Sequence, residues 1–96
     1  MFRLTCKAYC DLKDIAGYTR ENWGRSQLGI YLKMLDDAFH ELSANPEYGK
    51  KIDDVRKGYY KYRIGKHIIF YRKASKNDIE IVRILHERMD VKSHID

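Results

Sequence analysis

Tyr59-Tyr60-Lys61-Tyr62-Arg63-Ile64-Gly65-Lys66-His67-Ile68-Ile69-Phe70-Tyr71-Arg72-Lys73 is the stretch on which the fold turns. Two runs rich in aromatic and β-branched residues flank a Gly-containing dipeptide, which is the pattern of a hairpin. It predicts a strand over Tyr59 to Ile64, a turn at Gly65-Lys66 and a second strand over His67 to Lys73. Ser75 to Asp78 marks another turn, and Ile79 to Leu85 (IEIVRIL) supplies a third strand. The three form an antiparallel meander. Strand alternation sends at least one of Tyr59 and Tyr60 into the core.

Upstream the period changes. Ala8, Leu12, Ile15, Ala16, Thr19 and Trp23 recur at spacings of three and four, giving a helix over about Ala8 to Asn22. Trp23-Gly24 is a break, because Gly accepts the backbone angles that end a helix. Ser26, Gly24 or Asn22 could cap the next helix, whose stripe is Leu28, Tyr31, Leu32, Leu35, Phe39 and Leu42. Asn45-Pro46 stops it, since a residue before Pro is pushed out of the α region. So short a joint lays two helices side by side and antiparallel. Met1 to Cys6 (MFRLTC) reads as an opening strand, and Glu47 to Lys57 as a polar connection with a short helical turn. The expected order is β-α-α-β-β-β. This is an α+β architecture, with an N-terminal strand and a two-helix hairpin packed on a C-terminal antiparallel sheet, all in one domain over residues 1–96.

With 96 residues, 44% apolar and 34% charged, the chain has the composition of a globular domain. No run is long enough to span a bilayer, and Met1 to Lys7 lacks a signal peptide's apolar stretch, so a cytoplasmic location is expected. Cys6 and Cys10 are expected as free thiols, one in a strand and one opening a helix. The four histidines show no ligand spacing, so neither a metal nor another cofactor is expected. A net charge of +5 suits an acidic protein partner or a nucleic acid and does not choose between them.

No phosphate loop, metal pair or ordered nucleophile triad is present. The one chemically suggestive group is cationic: Lys61, Arg63, Arg83, His86 and Arg88, joined by Arg72. Metal-free RNA cleavage needs a base, an acid and cations around the phosphate, and His86 between two arginines could supply part of that. Glu87 is the adjacent carboxylate, however, and alternation places Arg83 and His86 on opposite faces. The plainer reading pairs Arg83 with an acidic residue and leaves His86 hydrogen-bonded at a strand end. Tyr59, Tyr60, Tyr62 and Tyr71 could stack bases, but core or protein contact is the commoner use of such tyrosines. Tyr18, Trp23 and Tyr31 near the helix joint read either as a packed hairpin end or as a patch for an amphipathic partner segment.

Tyr18-Thr19, Trp23-Gly24, Gln27, Tyr31-Leu32, Leu35 and Phe39 resemble the helical hairpin of ParE toxins. Asn45-Pro46, Gly49, Asp54, Arg56 and Gly58 are similar to that family's loop into the sheet. His67-Ile68-Ile69-Phe70-Tyr71-Arg72 and Ile81-Val82-Arg83-Ile84-Leu85-His86-Glu87-Arg88-Met89-Asp90 resemble its ending. The resemblance runs from about Leu12 to Asp90. It implies the RelE/ParE fold, a ParD-like antitoxin partner and DNA gyrase as target, poisoned by stabilising its cleaved-DNA state without catalysis. It also implies no direct DNA binding by the toxin alone and no membrane.

The antitoxin is expected on Tyr18, Trp23, Leu28, Tyr31 and Leu35. The target is expected on the terminal segment from Glu87 to Asp96, with Arg83, His86, Arg88, Met89 and Asp90 as its contact residues. Two alternatives accompany this reading. One is a RelE-type ribosome-dependent ribonuclease using Lys61, Arg63, Arg83, His86 and Arg88, and the other a non-toxic relative that only binds an antitoxin.

Overall fold

The computed structural model describes residues 1–76 and 78–89. Its elements are β1 (Phe2–Leu4), α1 (Cys6–Ala44), a 3-10 turn (Pro46–Tyr48), β2 (Lys50–Lys51), β3 (Tyr59–Ile64), β4 (His67–Ser75) and β5 (Asp78–His86). The three later strands lie where the sequence pattern puts them, with β4 and β5 slightly longer than expected. The sheet is mixed, in the order β1-β5-β4-β3-β2. β3, β4 and β5 pair antiparallel, while β1 joins the edge parallel to β5, with Phe2 opposite Ile79 and Leu4 opposite Ile81. Glu80 fastens that edge by accepting from Arg3 on β1 and Arg72 on β4.

The helical region departs from the two expected helices. One element runs from Cys6 to Ala44, and within it Gly24 alone has non-helical angles, φ 88° and ψ 172°. A straight helix of 39 residues would measure about 58 Å, against a longest molecular dimension of 37 Å. The rod therefore turns, and the positive φ that permits the turn belongs to a residue without a Cβ. Thr5 caps the start by accepting from the Ala8 N–H, and its hydroxyl donates to the Val82 carbonyl on β5. Cys6 consequently opens the helix instead of ending a strand, and both thiols are free and exposed.

Alternation along β4 divides the apolar residues between two faces. Ile69 and Tyr71 join Tyr60, Ile79, Ile81 and Ile84 beneath Ala8, Ile15, Leu35, Ala38, Phe39 and Leu42 of α1. Phe70 faces the other way, with Tyr59, Leu85 and Ile52, and Val55 from the chain between β2 and β3 packs against this second cluster. Tyr59 and Tyr60 thus fill opposite faces, and both are buried. Tyr60 stacks on Tyr71 with centroids 5.3 Å apart. These rings are core, which removes them as a platform for bases.

Candidate functional site

The residues singled out in the sequence fall in three places. Around the bend of α1, Tyr18 and Trp23 are exposed (64% and 66%), as is Ile30. Leu28 is half-buried, and Leu35 is 1% exposed. Leu35 is a correction: its side chain is spent on the core and offers no surface to a partner. Ile30 was missed because it lies off the apolar stripe that periodicity detects.

Tyr31 is half-buried and reaches the sheet. Its hydroxyl hydrogen-bonds Nδ1 of His67, and the His67 ring stands edge-on to His86, its cross-strand partner, with centroids 5.5 Å apart. His86 Nδ1 accepts from the Arg88 N–H at 3.2 Å. Beside the pair, Arg63 forms an ion pair with Glu87. This line of Tyr31, His67 and His86 was not foreseen, since residues so far apart in sequence meet only once α1 packs on the sheet and β4 registers with β5.

Burial holds the His67 imidazole below its ordinary value of 6.5, His86 adds to the effect, and Glu87 opposes it. A lowered value means the unfolded chain binds more protons than the fold just below 6.5, so stability rises with pH there. The contribution is complete above 6.5 and is lost as pH falls through the lower folded value. Urea midpoints are therefore expected to fall between pH 7.5 and pH 5.5, and to fall less in His67→Gln. Equal falls in both proteins would refute the assignment.

Arg83 is held most firmly. Its Nε donates to Asp11 Oδ2 at 2.7 Å and its Nη2 to Asp11 Oδ1 at 2.8 Å, and the Ile84 N–H donates to the same carboxylate at 3.0 Å. The two side chains are only 18% and 14% exposed. The pairing expected for Arg83 is thus present, and the partner comes from α1. β5 carries a bulge between Ile81 and Arg83, where Phe70 pairs with Arg83 but Tyr71 with Ile81. From Arg83 to His86 the register is unbroken, so the two alternate along the strand, yet both line one cleft of about 210 Å³ together with Asp11, Asp14 and His67.

On the helix-free face lies a second cleft of about 300 Å³, with Ile68, Phe70 and Leu85 as floor and Lys50, Lys51, Lys61, His86 and Met89 among its walls. The five cations of the ribonuclease reading are therefore dispersed. Lys61 lies in one cleft, Arg83 in the other with Asp11, Arg63 is paired to Glu87, Arg88 is exposed, and His86 borders both. Met89 is exposed, and Asp90 lies outside the described residues. Among the described residues no group of three His, Cys, Asp or Glu could hold a metal ion. No described helix is long and apolar enough to cross a membrane.

The chain resembles known proteins in sequence and in fold. Residues 2–91 match the family described as ParE toxin of type II toxin-antitoxin system, parDE. Toxin ParE1 of Mycobacterium tuberculosis (strain ATCC 25618 / H37Rv) is 39% identical over 90 residues, covering 94% of this chain and 92% of the relative. Toxin ParE1 of Caulobacter vibrioides is 32% identical over 94 residues, covering 98% and 96%. Toxin ParE of Escherichia coli is 30% identical over 92 residues, covering 96% and 89%. A solved structure described as the chromosomal ParDE TA system from P. aeruginosa superposes with a TM-score of 0.72 at 17% identity, covering 88% of this chain and 92% of that one, which establishes likeness of fold. The chain belongs to the ParE toxin family of type II toxin–antitoxin systems.

Proposed function

We propose that this toxin is a single cytoplasmic domain that poisons DNA gyrase by binding and stabilising its cleaved-DNA state, and that a ParD-like antitoxin neutralises it. The observation that carries the binding reading is the engagement of Arg83 with Asp11. A guanidinium held in two hydrogen bonds by a carboxylate is committed to the fold, and Glu87, the neighbouring acid, is committed to Arg63. Neither is poised for acid–base work on a phosphodiester. Poisoning requires only that one state of the target's cycle be bound better than the others. The surface left for the target is His86, Arg88 and Met89, continuing to Asp90. Tyr18 and Trp23, with half-buried Leu28, are the surface for an amphipathic antitoxin helix.

Plasmid supercoiling by gyrase, with a detergent step to trap cleaved complexes, tests the proposal. Inhibition with accumulating linear DNA, reversed by the cognate antitoxin, is the expected result. No effect at excess toxin would move the activity to the ribosome, where messenger cleavage with His86→Ala as control comes next. Arg88→Glu is expected to raise the concentration for half-inhibition about tenfold, the effect of roughly 1.4 kcal/mol of lost contact. An unchanged concentration, with an unchanged circular dichroism spectrum, would remove Arg88 from the interface.

A further inference from the structure

We propose that Cys6 and Cys10 form a two-thiolate site for a single soft metal ion, and that monovalent copper is the ion it suits. The two residues lie at the start of α1, and both thiols are free and exposed. Within α1 only Gly24 departs from helical angles, so the backbone from Cys6 to Cys10 is regular. At 3.6 residues per turn the two side chains stand one above the other, about 40° apart around the axis. Ala8, Ile15 and Thr19, the buried residues of this half of the helix, point the opposite way. Neither thiol therefore contributes to the core, where an unpaired cysteine is ordinarily found.

The spacing decides between the two reactions open to such a pair. Residues four apart on a helix hold their Cβ atoms about 5–6 Å from each other. A disulfide needs about 3.5–4.5 Å, so closing one would deform the first turn. That turn is pinned, because the Thr5 hydroxyl accepts from the Ala8 N–H and donates to the Val82 carbonyl. A metal ion held between two sulfurs spans the wider gap without moving the backbone.

The donor set selects the ion. Thiolates favour soft metals, whereas calcium and magnesium take oxygen ligands. Structural zinc wants four ligands, and among the described residues no third His, Cys, Asp or Glu completes a group here. Two thiolates suit monovalent copper, which accepts so low a coordination number. Binding involves no oxidation: each thiol loses its proton, both sulfurs donate to Cu(I), and two protons leave for solvent. The centre then carries a net negative charge. Lys13, about one turn beyond Cys10 and with its ammonium 6.0 Å from the Tyr9 ring, supplies a compensating cation.

The test is titration of the reduced, full-length chain with Cu(I) under anaerobic conditions, against the chelator bicinchoninate, with Cys6→Ser and Cys10→Ser alongside. Both substitutions fall on exposed positions, and circular dichroism checks that the helix is kept. One copper per chain is expected, with no change in hydrodynamic size. Each serine variant is expected to lose more affinity than the roughly 10–100-fold typical of removing an outer partner of a metal ligand. Copper is expected to raise the melting temperature of wild type alone, since an ion that binds only the fold stabilises it. Wild-type chain that takes no copper from bicinchoninate overturns the site, and so does a serine variant that binds as wild type does. One copper for two chains, with a doubled hydrodynamic mass, would place the ion between copies and overturn the single-chain site. A Cys6–Cys10 disulfide that forms in air with the helical signal intact would overturn the spacing argument.

Discussion

Asp11→Ala is expected to lower the stability of the fold by about 3 kcal/mol, the low end for removing one partner of a mostly buried ion pair. In a domain of this size that is a fall in melting temperature of roughly 12–24 °C. The loss has two sources. Arg83, whose side chain is 18% exposed, would lose its bidentate carboxylate, and the Ile84 N–H would lose its acceptor at 3.0 Å. The length of β1 explains why that N–H needs a side chain at all. β1 ends at Leu4, opposite Ile81, so beyond that point α1 takes the place of a neighbouring strand. A second substitution separates these sources. Adding Arg83→Met removes the stranded charge, and most of the lost stability is expected to return, short by the roughly 1 kcal/mol of the unmet N–H. Thermal melts of the two variants measure both effects. A single variant within 1 kcal/mol of wild type would mean that water already screens the pair.

Gly49→Ala is expected to have a comparable effect, about 2–4 kcal/mol, for a steric reason. Its φ of −74° is open to any residue, so backbone strain is not involved. A Cβ there would lie 2.3 Å from the Tyr71 hydroxyl and 2.8 Å from the Lys61 carbonyl, the second being backbone that cannot swing aside. That hydroxyl accepts from the Gly49 N–H at 2.8 Å and donates to the Pro46 carbonyl at 2.8 Å. Burial pushes the Tyr71 phenol up to about 12, so it stays protonated and keeps donating. Forcing the loop outward breaks both bonds around a buried hydroxyl, with an overpacking cost of about 1–3 kcal/mol beside it. Tyr71→Phe removes the closest clash, so Gly49→Ala should cost less in that background, and a double-mutant cycle by urea unfolding reads the difference. Strict additivity would show that the hydroxyl is not what the methyl meets.

The hairpin of β3 and β4 was legible because its signals are local: β-branched and aromatic runs around Gly65. The helix end at Ala44 was legible for the same reason, since Pro46 acts on its neighbour. Gly24 was visible as a break, but the two separate helices expected around it form one element kinked at that residue, because a single positive φ can turn the rod without a loop. The parallel pairing of β1 was invisible: Arg3 and Glu80 are 77 positions apart, and nothing in MFRLTC encodes direction. The bulge in β5 between Ile81 and Arg83 was equally hidden. Of the site, the engagement of Arg83 was foreseen and its partner was not, as Asp11 looks like any exposed helix carboxylate. Leu35 was chosen for its type, which could not separate a core leucine from a surface one.

The parallel seam between β1 and β5 also orders events in time. The chain emerges from the ribosome with Phe2 first, yet its partner Ile79 comes late. At about 5–20 residues per second, the 77 positions between Arg3 and Glu80 take roughly 4–15 s to make. For the last 35 of those positions, roughly 2–7 s, α1 is complete while Ile79, Ile81 and Ile84, the residues that close its apolar face, do not yet exist. The nascent toxin is then a sticky amphipathic helix awaiting its sheet. Any protein that recognises that face has several seconds to reach it before the molecule becomes active.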